Sequence, residues 1–183
     1  MKLVAPLHTD RLVLRTLTVA DATDRYLGWM HDPEATRFLE SRLVEHDLGS
    51  LRDYIASCND SEASMLLGIC LTDGTHVGNI KLGPIDPYHQ HAAIGLLIGE
   101  RDLWGQGYAT EAIAALTAHA FGQLGLLKLY AGCYASNVGS ARAFLKAGWI
   151  EEGRNWAHWR SDGGREDNVQ LGITRADWSA SQS

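Results

Sequence analysis

The chain has 183 residues, 45% apolar and 21% charged, which fits one globular domain with a sizeable core and argues against disorder. Its formal net charge of −6 argues against a general nucleic-acid binder, which would carry a basic face, and gives no reason for attraction to an anionic membrane.

Leu12 and Leu14 alternate with Val13 and Arg15, which predicts a first strand at residues 11–16. Thr18-Val19-Ala20-Asp21 reads as a capping box with Asp in the usual Glu place, so a helix is expected from there to about Met30. Asp32-Pro33 ends it, because the residue before proline disfavours the helical region. Residues 33–46 are rich in polar groups and read as irregular. Asp47 is a candidate cap for a helix with Leu48, Leu51, Ile55 and Cys58 at helical spacing. Met65 to Leu71 is nearly all apolar, Asp73-Gly74 signals a hairpin, and Val77 falls out of phase with Ile80 and Leu82, so a bulge is expected near Gly78. Ala92 to Ile98 is an unbroken small or apolar run, as in a strand covered on both faces.

The second half alternates helix and strand. Ala109 to Leu124 carries a long apolar stripe at helical spacing; Leu129, Ala131 and Cys133 mark one face of a strand. Val138 to Leu145 is a short amphipathic helix closed by Gly148. Residues 149–159 and 167–173 read as antiparallel strands joined by Asp162-Gly163-Gly164. The order βαα-βββ-αβ-αββ implies an α/β (α+β) fold: a mixed, mostly antiparallel sheet of about seven strands with helices on both faces.

Cys58, Cys70 and Cys133 are odd in number and far apart, so they read as buried core residues rather than metal ligands or a disulfide framework, and no metal is expected. The opening residues become polar too soon for a signal peptide, and no apolar run approaches the roughly 20 residues that cross a bilayer, so a cytoplasmic location is expected by default. A single domain over residues 1–183 is expected, with a frayed tail at 179–183.

The stretch most informative about chemistry is Trp104-Gly105-Gln106-Gly107-Tyr108-Ala109-Thr110-Glu111-Ala112, between a buried strand and a long helix. Two glycines let the backbone turn sharply, and the free N–H groups of the helix's first turn suit a pyrophosphate. The absence of GK[ST] and of a full GxGxxG sets aside P-loop and dinucleotide readings. The segment resembles the acetyl-CoA pyrophosphate loop of the Gcn5-related N-acetyltransferase (GNAT) family. Residues 9–15, Thr-Asp-Arg-Leu-Val-Leu-Arg, resemble the opening strand of its RimJ/RimL-like branch; Asn137-Val138-Gly139-Ser140, followed by Phe144, Lys146, Gly148 and Trp149, resembles its second cofactor motif. The likeness runs over roughly residues 9–174.

The resemblance implies that the strands at 92–98 and 128–134 are parallel neighbours that splay apart, with the pantetheine arm of acetyl-CoA pairing to Leu97, Ile98 and Gly99. The N–H of Ile98 would polarise the thioester carbonyl. It implies cofactor contacts from residues 104–110, Asn137, Ser140, Phe144 and Lys146, with Ser140 near the sulfur also as a candidate catalytic acid. The family's frequent tyrosine acid is replaced by Phe144 and its strand glutamate is missing at Ala92, Ala93 and Ile94. That leaves Tyr134 as a substitute acid and His89, His91, Glu40 and Glu100 as candidate bases, histidine having the right pKa range. Glu111 reads as serving the helix N-terminus. Trp29, Met30 and Phe38 read as core or as acceptor-pocket lining, Trp156 and Trp159 as a substrate wall or a homodimer contact.

Two acceptor classes follow from the resemblance: a nucleotide-linked amino sugar, with Glu40, Arg42, Lys81 and Arg37 as substrate contacts, or a protein N-terminal α-amine. A third reading from another class is a non-catalytic acetyl-CoA-binding sensor.

Overall fold

The structure, a computed structural model, describes residues 1–161 and 163–181. One eight-stranded sheet runs through it in the order β1-β2-β3-β4-β5-β6-β8-β7. The strands are β1 (Leu7–His8), β2 (Leu12–Thr16), β3 (Met65–Leu71), β4 (His76–Asp86), β5 (His91–Ile98), β6 (Lys128–Tyr134), β7 (Ile150–Ser161) and β8 (Gly164–Thr174). Every neighbouring pair is antiparallel except β5 and β6. The eighth strand, β1, is a two-residue edge piece that the sequence pattern did not signal.

The helices are α1 (Asp24–His31), α2 (Pro33–Thr36), α3 (Leu48–Asp60), α4 (Tyr108–Gly122), α5 (Val138–Lys146) and α6 (Arg175–Ser181). They cover both faces. On one face Leu12, Met65, Leu67, Ile80 and Ile94 pack against Ile113, Leu116 and Phe121 of α4 and Phe144 of α5. On the other, Leu66 and Leu97 join Tyr26 and Trp29 of α1 and Leu51, Ile55 and Cys58 of α3. Alternation in β3 divides the two: Met65, Leu67 and Ile69 point one way and Leu66 the other. All three cysteines are free and buried.

Asp47 and Gly148 fall where the sequence put them: Asp47 accepts from Ser50 N at the start of α3, and Gly148 follows α5 at φ 88°. Asp32 ends α1 as expected and also caps the short α2, with Pro33 at its first position. The β4 bulge sits at Val77: Ile69 faces Gly78 while Cys70 faces His76. Two expectations need correction. The Thr18–Asp21 capping box closes only a single 3₁₀ turn, because Asp21 also takes a forked ion pair from Arg15; Thr23 caps the helix proper. Residues 179–181 are helical, not frayed: Thr174 and Asp177 cap α6, and Trp178 packs on Phe121 at 5.7 Å between ring centroids. Residues 182–183 of the expected tail, and Asp162 of the expected turn, lie outside the described residues. In β7, residues 156–158 bulge opposite β8, with Ala157 at φ 48°, which leaves Trp156 86% exposed. No helix among the described residues is long and apolar enough to cross a membrane.

Candidate active site

The central feature is a pair of parallel strands that part company. β5 and β6 are in register at His91–Lys128, Ala92–Leu129 and Ala93–Tyr130, and the pairing ends there. Beyond Ala93, β5 keeps only its other neighbour, β4. Gly99 N donates to Val77 O at 2.9 Å, so the groups of Leu97 and Gly99 face β4. Strand alternation turns Leu96 and Ile98 the other way, toward the gap. Ile98 O confirms this direction, since it accepts the indole N–H of Trp104 at 2.8 Å. The free backbone edge is therefore Leu96 and Ile98. The expectation for Ile98 fits this geometry; for Leu97 and Gly99 it is corrected, because their N–H groups serve the β4 ladder.

The glycine turn lies at the same end of β5. Gly105 has φ 74° and Gly107 has φ 87°, both in the left-handed region where a side chain is strained. Gly107 is the N-cap of α4 and brings no side-chain cap, so the first N–H groups of a 15-residue helix stay available at Tyr108, Ala109 and Thr110. Gln106 folds back, its amide donating to Asp102 O at 2.6 Å. A brace that the sequence did not reveal holds the loop. Arg11 donates through Nε to Glu111 at 2.7 Å and through Nη1 to Gln106 O at 3.0 Å, and its guanidinium lies 4.4 Å from the centre of the Tyr108 ring. Thr9 adds a 2.6 Å bond to the same carboxylate. Burial works to raise the Glu111 carboxyl, but the bonds from Thr9 and Arg11 outweigh it and hold it below its ordinary value. Glu111 thus does serve the helix start, and it also ties α4 to β2.

At the end of β6, Tyr134 presents its hydroxyl between two groups from the segment after α2. It donates to Glu40 Oε1 at 2.5 Å and accepts from Arg42 Nη2 at 2.9 Å. Its ring stacks on Trp159 at 4.9 Å and meets Phe38 at 5.7 Å. Burial, and next the bond to Glu40, push the phenol above its ordinary value against the pull of Arg42, so it keeps its proton at neutral pH. Three turn residues later, Asn137 caps α5 by accepting from Ser140 N at 3.2 Å, which sets Ser140 in the first turn. Lys146 is exposed at the far end of α5. Phe144 is 2% exposed, packed on Trp149 at 4.7 Å between centroids, so its predicted cofactor contact gives way to a core role.

A cavity of about 510 Å³ opens on the α1 and α3 face, bounded by Gly95, Leu96 and Leu97 of β5. Met30, Leu39, Val44, Leu51 and Leu66 supply apolar wall, and Ser41, His46, Ser50, Tyr54, Asn79 and Lys81 its polar points. Only Lys81 of the four predicted substrate contacts lines it; Glu40 and Arg42 turn to Tyr134 instead. Arg37 lies against the Phe38 ring, 5.2 Å from its centre. Trp29 is core: its ring fills the space where a Cβ on Gly99 would sit 2.1 Å away, and its N–H bonds Glu100. Glu100 also pairs with Arg25 at 2.9 Å, so it is occupied as an anchor rather than poised as a base.

His89 and His91 are separated from this site. His91 begins β5, stacks with His89 and meets Tyr130 edge-on. The glycine turn follows the other end of the same strand, roughly 20 Å away by the extended rise per residue. His89 and His91 therefore stand at the paired end of β5, ahead of the point where β5 and β6 part.

The Acetyltransferase (GNAT) domain family model matches residues 11–150. The chain is 31% identical over 151 residues to the uncharacterized N-acetyltransferase YoaA of Bacillus subtilis (strain 168), covering 80% of this chain and 84% of that one. It is 29% identical over 151 residues to the uncharacterized N-acetyltransferase p20 of Bacillus licheniformis, covering 80% and 83%. Among solved structures, the spermidine N-acetyltransferase from Vibrio cholerae in complex with CoA and spermine shares the fold at a TM-score of 0.82 and 18% identity, over 93% of this chain and 99% of that one.

Proposed function

Because the chain belongs to the GNAT acetyltransferase family, and is an N-acetyltransferase with acetyl-CoA as cosubstrate, we propose that it acetylates a small-molecule primary amine by direct attack in a ternary complex. The observation that carries this reading is the parting of β5 from β6 after Ala93. It leaves the Leu96 and Ile98 backbone edge without a strand neighbour on the β6 side, between the glycine turn on one side and the cavity at Gly95 to Leu97 on the other, with Ile98 O taken by the Trp104 indole and Ile98 N–H facing the gap. A pantetheine arm adds to that edge as an extra strand, by the same hydrogen bonding that joins any peptide to an open sheet edge. The pyrophosphate sits on the N-terminus of α4, and the acceptor amine enters from the cavity. The opening strand at residues 9–15 and Ser140 support the RimJ/RimL-like branch.

In the chemical step the neutral amine attacks the thioester carbonyl carbon, the carbonyl oxygen takes negative charge, and the C–S bond then breaks. Ile98 N–H, pointing into the gap, stabilises that oxygen; one such donor contributes about 3 kcal/mol in the transition state. The leaving thiolate needs a proton. Tyr134 supplies it, and Arg42 at 2.9 Å holds the resulting phenolate. Glu40 takes the proton that the amine sheds and returns it to the tyrosine, with which it already shares a hydrogen bond. The protons balance, and the ion pair of Glu40 with Arg42 is restored. Ser140 lies in the first turn of α5 as a pantetheine contact with Asn137.

Thermal unfolding with acetyl-CoA, NADH and ATP tests the cofactor half. A ligand at a hundredfold excess over its Kd stabilises the fold by about 2.7 kcal/mol. Stabilisation by acetyl-CoA alone is the expected outcome; no shift with acetyl-CoA would contradict the reading. Release of free CoA thiol in the presence of primary amines tests the transfer half, and tight acetyl-CoA binding with no release would favour a sensor.

A further inference from the structure

We infer that the acceptor carries an anionic group, a carboxylate or a phosphate, in addition to its amine, and that Lys81 is its counterion; polyamines are thereby disfavoured. This rests on the cavity being the acceptor site. Lys81 stands in the middle of β4, in a row with Leu66 of β3 and Gly95 of β5. Gly95 has nothing within 4 Å of where a Cβ would lie, so the space above the row is open beside the strand edge assigned to the thioester. Alternation along β4 fixes the direction of the lysine: Ile80 and Leu82 are fully buried in the α4 core, which turns Asn79 and Lys81 to the cavity face.

The charge of this wall is one-sided. The chain has 22 acidic residues, yet none of the residues bounding the cavity is Asp or Glu. Among the described residues, none of the ion pairs or side-chain hydrogen bonds engages the Lys81 ammonium; its one contact is with the face of Tyr54, 5.5 Å from the ring centre. Arg42, the other cation nearby, is already committed to Tyr134 and Glu40. A half-buried cation in a mainly apolar pocket, held only by an aromatic face, favours a ligand that brings the missing negative charge. A polyamine brings the opposite: each ammonium left after the reacting amine is neutralised needs a carboxylate, and here it meets Lys81. The Ser41 and Ser50 hydroxyls suit either a carboxylate or a phosphate as well.

The test uses matched amines that differ only in the anion: glucosamine against glucosamine 6-phosphate, and alanine amide against alanine, with spermidine as the polycation. CoA-thiol release gives kcat/KM for each with the wild type, Lys81→Met and Lys81→Arg. The expected result is a preference of about tenfold or more for the anionic member of at least one pair, as a charge-assisted contact supplies. Lys81→Met brings that ratio close to one and Lys81→Arg keeps most of it, with acetyl-CoA stabilisation confirming that each variant is folded. Which pair responds separates phosphate from carboxylate. Preference for spermidine or for the neutral members, or a ratio unchanged in Lys81→Met, overturns the inference and leaves acetyl transfer standing. Acetyl-CoA binding with no thiol release from any of the five amines overturns the inference together with the acceptor-cavity reading.

Discussion

Arg11 and Glu111 are 100 residues apart in sequence and 2.6 Å apart in space. The pair fastens the start of β2 to the first turn of α4, and the same guanidinium reaches the carbonyl of Gln106 inside the glycine turn. The loop assigned to the pyrophosphate is therefore held from outside by a strand. Preorganisation of this kind saves the ordering cost that a mobile loop would incur on binding.

Arg11→Ala should weaken acetyl-CoA binding by about tenfold, or 1.4 kcal/mol, with a smaller change in kcat. Glu111→Gln should act in the same direction, since it removes the charge but keeps the shape. Isothermal titration of acetyl-CoA into each variant checks this. Equal affinity in all three proteins would show that the loop holds its shape without the brace.

Gly107→Asp should remove acetyl-CoA binding. A left-handed φ of 87° strains any side chain, by about 1–2 kcal/mol, and the carboxylate would stand where phosphates are expected. Gly107→Asn separates the two causes: asparagine tolerates this backbone region, so it should retain binding that the charged variant loses. Thermal shift with acetyl-CoA reads both. Unchanged affinity in Gly107→Asp would remove the pyrophosphate from this loop.

Tyr134→Phe should lower kcat by about a hundredfold, within the range typical of a lost general acid, while leaving acetyl-CoA affinity within a factor of two or so. Ser140→Ala should weaken acetyl-CoA binding more than it slows transfer. The opposite pattern, a slow Ser140→Ala and a fast Tyr134→Phe, would move the proton donor to the serine. Steady-state kinetics at saturating acetyl-CoA with the best amine distinguishes them.

Acid stability offers a check independent of activity. Burial acts to raise the Asp21 carboxyl, but the forked hydrogen bonds from Arg15 and those from Thr18 lower it to about 2. A depressed carboxyl contributes stability above its ordinary value near 4 and loses it as the pH falls from about 4 toward 2. After allowance for solvent screening the contribution is on the order of 1 kcal/mol. Asp21→Asn should therefore lower stability at pH 7 and show a shallower loss between pH 4 and 2, measured by denaturant unfolding.

The sequence by itself determined the local elements and the cofactor end of the site. Apolar runs and periodicity marked β3, β5 and α4, and the cap at Asp47 marked a helix start, because these signals are carried by residues within a turn or two of each other. The glycines at 105 and 107 were legible for the same reason: a positive φ is a property of one residue. Tertiary structure alone decided what depends on distant partners. It placed His89 and His91 at the paired end of β5, gave the free edge to Leu96 and Ile98 rather than Leu97 and Gly99, and joined Glu40 and Arg42 to Tyr134 across more than 90 positions. No local pattern encodes such pairs. Which strand edge stays open is fixed by where a neighbour stops pairing, and which charge meets which hydroxyl by how the segments after α2 and at the end of β6 pack together.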